Sequence, residues 1–191
     1  MKSTVAPGSG LNWSLTQYDE SIPFVLNQHG FTLRFPDQSG QMNSLQADRK
    51  GAPIRKVKTK GKPFFQIEIL YHIRKVEGNP QFGYVDHSGT GNEAPNFRPC
   101  VSSDFLDNRH WPSGANCAFL KVTPKPVIYT VKLLPSLWQD VNGHVDPNGF
   151  TSTFESDGLW HLSFGGGGNF EHGVYVTGGV AAMDLLSFNV K

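Results

Sequence analysis

Residues 64–70, Phe-Phe-Gln-Ile-Glu-Ile-Leu, decide the fold class. Phe65, Ile67 and Ile69 fall on one face of an extended chain, and Gln66 and Glu68 fall on the other. That two-residue period marks a half-buried strand, since successive side chains of a strand point to opposite faces. The same period recurs in FTLRF, with Phe31, Leu33 and Phe35 opposite Thr32 and Arg34. It recurs again in VIYTVKLL, with Val127, Tyr129, Val131 and Leu133 opposite Ile128, Thr130 and Lys132. Further strands are expected at 82–85, 117–122, 160–164, 173–176 and 182–190. Clusters of Gly, Pro, Asn and Asp punctuate nearly every gap between them. Only two short helices are expected, near 104–109 and 152–158. The pattern predicts an all-β antiparallel sandwich of the jelly-roll type, one domain over residues 1–191 with residues 1–10 flexible.

Composition agrees. The chain has 191 residues, 21 Gly and 13 Pro, with 17% charged and 38% hydrophobic residues. This is enough to bury a core in one domain, and low charge with much Gly and Pro favours strands and turns over surface helices. A formal net charge of +1 supplies no global field for nucleic acid or a membrane surface. No apolar run reaches the length of a membrane-crossing helix. The opening MKSTVAPGSG has no apolar stretch of the signal-peptide kind.

Four glycines, Gly165 to Gly168, stand in LSFGGGGNFEHGVYV. A dinucleotide fingerprint needs a third glycine where Glu171 stands and a helix where a strand pattern follows; a phosphate loop needs Gly-Lys-Ser/Thr. The glycines therefore read as a hairpin or sheet corner, whose tip could also line a ligand surface.

The last sixty residues or so, YTVKLLPSLWQDVNGH followed by DGLWHLSFGGGGNFEHGVYVTGG and VAAMDLLSFNV, resemble the end of galactose-binding-like jelly rolls such as family-11-type carbohydrate-binding modules. The closing positions are Met183, Leu185, Phe188 and Val190. Met183 stands where an aromatic is usual, and LLSF shifts the spacing. The resemblance is one of core positions. It implies non-catalytic glycan binding by a secreted or surface domain, extracellular or periplasmic, and it raises the expectation of structural Ca²⁺.

Several segments carry candidate chemistry. DNRHWPSGANC sets Asp107, Asn108, Arg109 and His110 beside Trp111, polar partners next to a flat apolar ring, as a sugar requires; the ring could equally plug the end of the sandwich. Trp138 is a second candidate contact, whereas Trp160 alternates with Leu162 and Phe164 and reads as core. In DVNGHVDPNG, Asp140, Asn142 and Asp146 are oxygen donors suited to Ca²⁺, although an Asx-rich turn without metal accounts for them too. His144 and Asp146 with His161 or His172 only faintly resemble a two-histidine, one-carboxylate iron site. The run 49–62 carries Arg49, Lys50, Arg55, Lys56, Lys58, Lys60 and Lys62 and no acidic residue. It is either an anion-attracting patch or a solvated loop, and without aromatics it offers nothing for base stacking. Cys100 and Cys117 bracket a polar loop that a disulfide could close; the alternative is two thiols, one buried in the strand CAFLKV.

No catalytic set stands out. Glu68 with Asp86, Glu155 or Asp157 could form a hydrolytic carboxylate pair. Tyr71, His72 and Arg74 could serve a lyase, but strand alternation separates Tyr71 from His72. A non-catalytic carbohydrate-binding domain is thus the leading expectation. The alternatives are a lyase or hydrolase acting on an anionic glycan and a structural or partner-binding sandwich.

Overall fold

The computed structural model describes residues 4–5, 12–15, 22–26, 30–38, 44–48, 66–84, 94–103, 109–114, 116–155, 159–166 and 171–190. In chain order the strands are β1 (Thr4–Val5), β2 (Asn12–Leu15), β3 (Phe24–Leu26), β4 (Phe31–Phe35), β5 (Ser44–Asp48), β6 (Gln66–Tyr84), β7 (Asn96–Ser102), β8 (Trp111–Pro112), β9 (Ala118–Phe119) and β10 (Val127–Lys132). Then follow β11 (Trp138–Gln139), the helix α1 (Pro147–Glu155), β12 (Leu159–Gly166), β13 (Glu171–His172) and β14 (Val174–Val190).

One sheet runs β1-β2-β5-β12-β7-β9, with β13 joined to the end of β12; the other runs β10-β6-β14-β4-β3. All pairings between these strands are antiparallel. Besides the local pairs β1–β2, β3–β4 and β12–β13, neighbours in each sheet come from distant parts of the chain, consistent with a sandwich of crossing connections. The expected alternation holds: Phe31, Leu33, Phe35, Ile67, Ile69, Tyr129, Val131 and Leu133 are buried, while Ile128 on the opposite face is exposed.

Aromatic rings join the sheets across the core. Phe97 of β7 meets Tyr71 of β6 edge-on at 4.9 Å and Tyr129 of β10 at 5.6 Å. Trp160 of β12 meets Phe188 of β14 at 5.7 Å. Such edge-to-face contacts set the negative face of one ring against the positive edge of another. Trp160, Leu162 and Phe164 all point into this core, as their spacing predicts.

The strands β6 and β14 are longer than their sequence patterns suggest, pairing from Val174↔Tyr84 to Val190↔Ile67 with a register shift between Thr177 and Gly179. At that shift Gly78 takes φ +63° and Gly178 φ +75°, the left-handed region that glycine enters without steric cost. A Cβ on Gly78 would stand 2.5 Å from the Gly178 carbonyl oxygen. The four-glycine segment begins as a hairpin, with Gly165 opposite His172 and Gly166 opposite Glu171. The Tyr84 ring packs against Gly166, where a Cβ would come within 2.4 Å of it.

Two expectations are corrected. Cys100 and Cys117 are thiols, not a disulfide. The β7–β9 ladder sets Phe97 opposite Ala118, so its continuation brings Cys117 beside Arg98. Cys100 packs against Trp111, whereas Cys117 acts electrostatically on Tyr71 and Tyr129, on the core side. Cys117 is thus set across from Arg98 rather than Cys100, two residues along the strand from the position that a disulfide partner of Cys100 would need. The second correction concerns the helix, which begins at Pro147 rather than Ser152 and ends at Glu155. The helix expected at 104–109 falls largely on residues outside the described ones.

Candidate functional site

Two segments far apart in sequence meet beside the sandwich. The first, residues 109–112, is pinned to β7. Val101 and His110 exchange both backbone hydrogen bonds at 2.9 Å, and the buried Arg98 donates from Nη1 to the Pro112 carbonyl at 3.1 Å and from Nε to Asn96 Oδ1 at 3.0 Å. The second, residues 138–146, pairs with it through Trp138↔Pro112 and Gln139↔Trp111. Continuing that antiparallel register sets His110 alongside Asp140.

The loop after β11 is closed by its own polar groups. Asp140 Oδ1 accepts from the N–H of Asn142 and of His144, each at 2.9 Å, and the Asp140 N–H donates to the His144 carbonyl at 2.8 Å. Gly143, at φ +78°, makes the turn possible. Burial pushes the Asp140 carboxyl up, but the His144 and Asn142 N–H groups outweigh it and hold it below its ordinary value.

Asp146 then caps α1. Its Oδ1 accepts from the Gly149 N–H at 2.9 Å, and Pro147 occupies the first helical position. This is the arrangement Asp and Pro favour at a helix start. The helix is held down by Phe150, whose ring lies over Trp138 at 4.8 Å and near Phe154 at 5.7 Å. Phe154 in turn meets Trp160 at 6.2 Å.

Between the capped helix, the loop and residues 109–110 lies a pocket of about 330 Å³, lined by Ser103, Arg109, His110, Asp140, Val141, Asn142, Asp146, Gly149, Ser152 and Thr153. His110 is only 3% exposed, and its Nε2 lies 3.8 Å from Asp146 Oδ2. Neither ring nitrogen has a hydrogen-bond partner among the described residues, nor does Arg109 Nε. Gly149 lets the Asp146 carboxylate lie against the helix start: it fills the place that a Cβ at 149 would take, 3.2 Å from His110 Nε2.

Five of the residues singled out in the sequence, Arg109, His110, Asp140, Asn142 and Asp146, therefore share one pocket. Trp111 and Trp138 do not reach it as platforms. They are 1% and 0% exposed, and the Trp138 indole N–H is committed to the Lys132 carbonyl at 3.0 Å. Trp138 packs in the main core, and Trp111 packs with Cys100 in a separate buried cluster. Asp107, Asn108 and the basic residues Arg49 to Lys62 lie outside the described residues. Sequence reasoning missed Ser103, Val141, Gly149, Ser152 and Thr153. Gly149, Ser152 and Thr153 stand at i, i+3 and i+4, one face of a helix, and that signal became readable only with the helix start at Pro147.

Other candidate chemistry is engaged elsewhere. Tyr71 is buried against Phe97, His72 Nε2 donates to the Thr123 carbonyl at 3.1 Å, and Arg74 pairs with Asp184. The lyase trio is thus dispersed. Burial pushes the Asp184 carboxyl up, but the bonds from Arg74 and Thr32 hold it below its ordinary value. Ser102 Oγ and His161 Nε2 lie 2.7 Å apart, the spacing of a nucleophile and its base. Yet Ser102 is fully buried and His161 is 3% exposed, so no substrate reaches them. Burial, reinforced by the Arg109 charge, pushes His161 down to about 3. Burial pushes the Cys100 thiol up to about 12, which leaves it an inert thiol. Among the described residues no three His, Cys, Asp or Glu side chains group as metal ligands, and no helix is long and apolar enough to cross a membrane.

No family model, curated protein or solved structure matches the chain.

Proposed function

We propose that the chain is a non-catalytic carbohydrate-binding domain whose site is the pocket between residues 109–110, the 140–146 loop and the start of α1. One observation carries this reading. Arg109 and His110, which the sequence offers as sugar partners, and Asp140, Asn142 and Asp146, which it offers as oxygen donors for Ca²⁺, converge on a single concave site. Its lining mixes a guanidinium, an imidazole, two carboxylates, an amide and hydroxyls. Such a set can donate to and accept from the hydroxyls of a sugar. Val141, 43% exposed, adds an apolar surface for the C–H groups of the ring. Among the described residues, the Ser102–His161 pair is buried and Tyr71, His72 and Arg74 are dispersed, which favours binding over the catalytic alternative.

Asp140, Asn142 and Asp146 also keep calcium within the proposal's scope, but Asp140 Oδ1 and Asp146 Oδ1 already serve backbone N–H groups. The expected behaviour is therefore glycan binding that survives a chelator. A glycan array run with calcium and then with chelator tests both points. Retention of one sugar class under chelator supports the proposal as stated. Loss under chelator would make the loop a calcium site, and silence across a broad array would overturn carbohydrate recognition.

A further inference from the structure

Resting on the carbohydrate reading, we infer that the pocket takes a single neutral sugar unit at the end of a chain, one of whose hydroxyls bridges His110 Nε2 and Asp146 Oδ2. The two atoms lie 3.8 Å apart, too far for a direct hydrogen bond. An oxygen seated between them at about 2.8 Å from each satisfies both. A hydroxyl suits the gap because it donates and accepts at once. Its proton goes to the Asp146 carboxylate, and its lone pair accepts the Nε2–H of His110. An ammonium could not accept from His110. A ligand carboxylate in this gap would stand against Asp146, and only a placement beside Arg109 would pair it. At the bridging position a neutral hydroxyl is therefore favoured.

Four further observations agree. His110 is almost fully buried, and neither ring nitrogen has a hydrogen-bond partner among the described residues; a buried polar group in that condition calls for a partner. Gly149 lets the Asp146 carboxylate sit where it faces His110, since a Cβ there would collide with Asp146 Oδ2 and displace it. The volume of about 330 Å³ sits at the low end of the range of about 300–1,000 Å³ for ligand sites. Among the described residues the lining contains no Trp, Tyr or Phe, so they offer no row of flat rings along which successive units of a chain could stack.

Calorimetric titration of the intact chain with methyl glycosides of glucose, galactose and mannose, and with linear tetrasaccharides of each, tests the inference. Asp146→Asn preserves the helix cap, since Asn caps as well as Asp, but removes the charged acceptor. Gly149→Ala displaces the Asp146 carboxylate from its place facing His110 while favouring helix. Thermal unfolding establishes that each variant is folded. The expected result is a methyl glycoside that binds within about tenfold of its tetrasaccharide, with a loss of about tenfold or more in both variants, the size of one hydrogen bond to a charged group. A tetrasaccharide that binds while its methyl glycoside does not would overturn the single-unit inference and leave the carbohydrate reading standing. Unchanged binding in both folded variants would overturn the His110–Asp146 bridge. No binding by any saccharide would overturn both readings together.

Discussion

His161 shows how a single residue couples this fold to pH. It sits in β12 with Trp160 and Leu162 on either side, but it faces away from the core toward Ser102. Burial and the Arg109 charge push it down to about 3, from about 6.5 in an unfolded chain. Between those values the unfolded chain binds a proton that the folded chain does not, so the stability this residue confers rises with pH across the window and is lost as pH falls from 6.5 toward 3. Well inside the window the slope is about 1.4 kcal/mol per pH unit. Denaturant unfolding between pH 4 and pH 7 is expected to show that slope, and His161→Gln to flatten it by about that amount. An equal slope in the variant would mean that His161 is not held neutral. At this scale the sequence is readable for Trp160, because Leu162 and Phe164 share its face. For Trp111 it leaves two readings open, sugar contact or plug, and only the packing of the ring on Cys100 decides for burial. Local composition reports what surrounds a residue along the chain, not which strand lies over it.

At the scale of elements, alternation carries most of the information. β4, β6 and β10 bury the sides their patterns assign, because a register slip of one residue would turn each apolar row to water. Helix α1 was harder to place. Asp146-Pro147-Asn148-Gly149 fits a turn as well as a capped start, and only the continuation through Phe150 and Phe154, stacked at 5.7 Å, decides for helix. The length of the β6–β14 ribbon was also hidden, since Gly78, Gly178 and Gly179 look like breakers. In the fold they let the two strands continue through a bulge, with Gly178 held at φ +75°. Gly78→Ala puts a Cβ at φ +63°, 2.5 Å from the Gly178 oxygen. The left-handed conformation alone costs a non-glycine residue about 1–2 kcal/mol, and the contact adds to it. The expected loss is about 2 kcal/mol or more in chemical denaturation. A neutral variant would show that the ribbon relaxes there freely.

For the whole molecule, the site depends on a contact that no local pattern contains. Trp138↔Pro112 and Gln139↔Trp111 join two short strands that neither alternation nor composition marks. Their pairing brings Asp140 to His110, and through α1 it brings Asp146 there as well. The individual site residues were visible in the sequence as polar loops; their convergence was not, because it is fixed by long-range register. Trp138 is where the two levels meet. Its indole is fully buried, bonded to the Lys132 carbonyl, and covered by Phe150 of the helix that carries Asp146 and Gly149. Trp138→Ala should therefore act on stability and ligand binding together. Removing a buried tryptophan typically costs about 3–5 kcal/mol, and loss of the Phe150 contact frees α1 to shift away from His110. Thermal unfolding is expected to fall sharply and saccharide titration to fail in the same variant, even at temperatures where it remains folded. An exposed substitution on the same helix, Ser152→Ala, is expected to leave stability nearly unchanged while weakening binding only modestly. If Trp138→Ala lowered stability but bound saccharide normally while folded, the pocket would not depend on the position of α1, and the site would have to be assembled from residues 109–110 and the 140–146 loop alone.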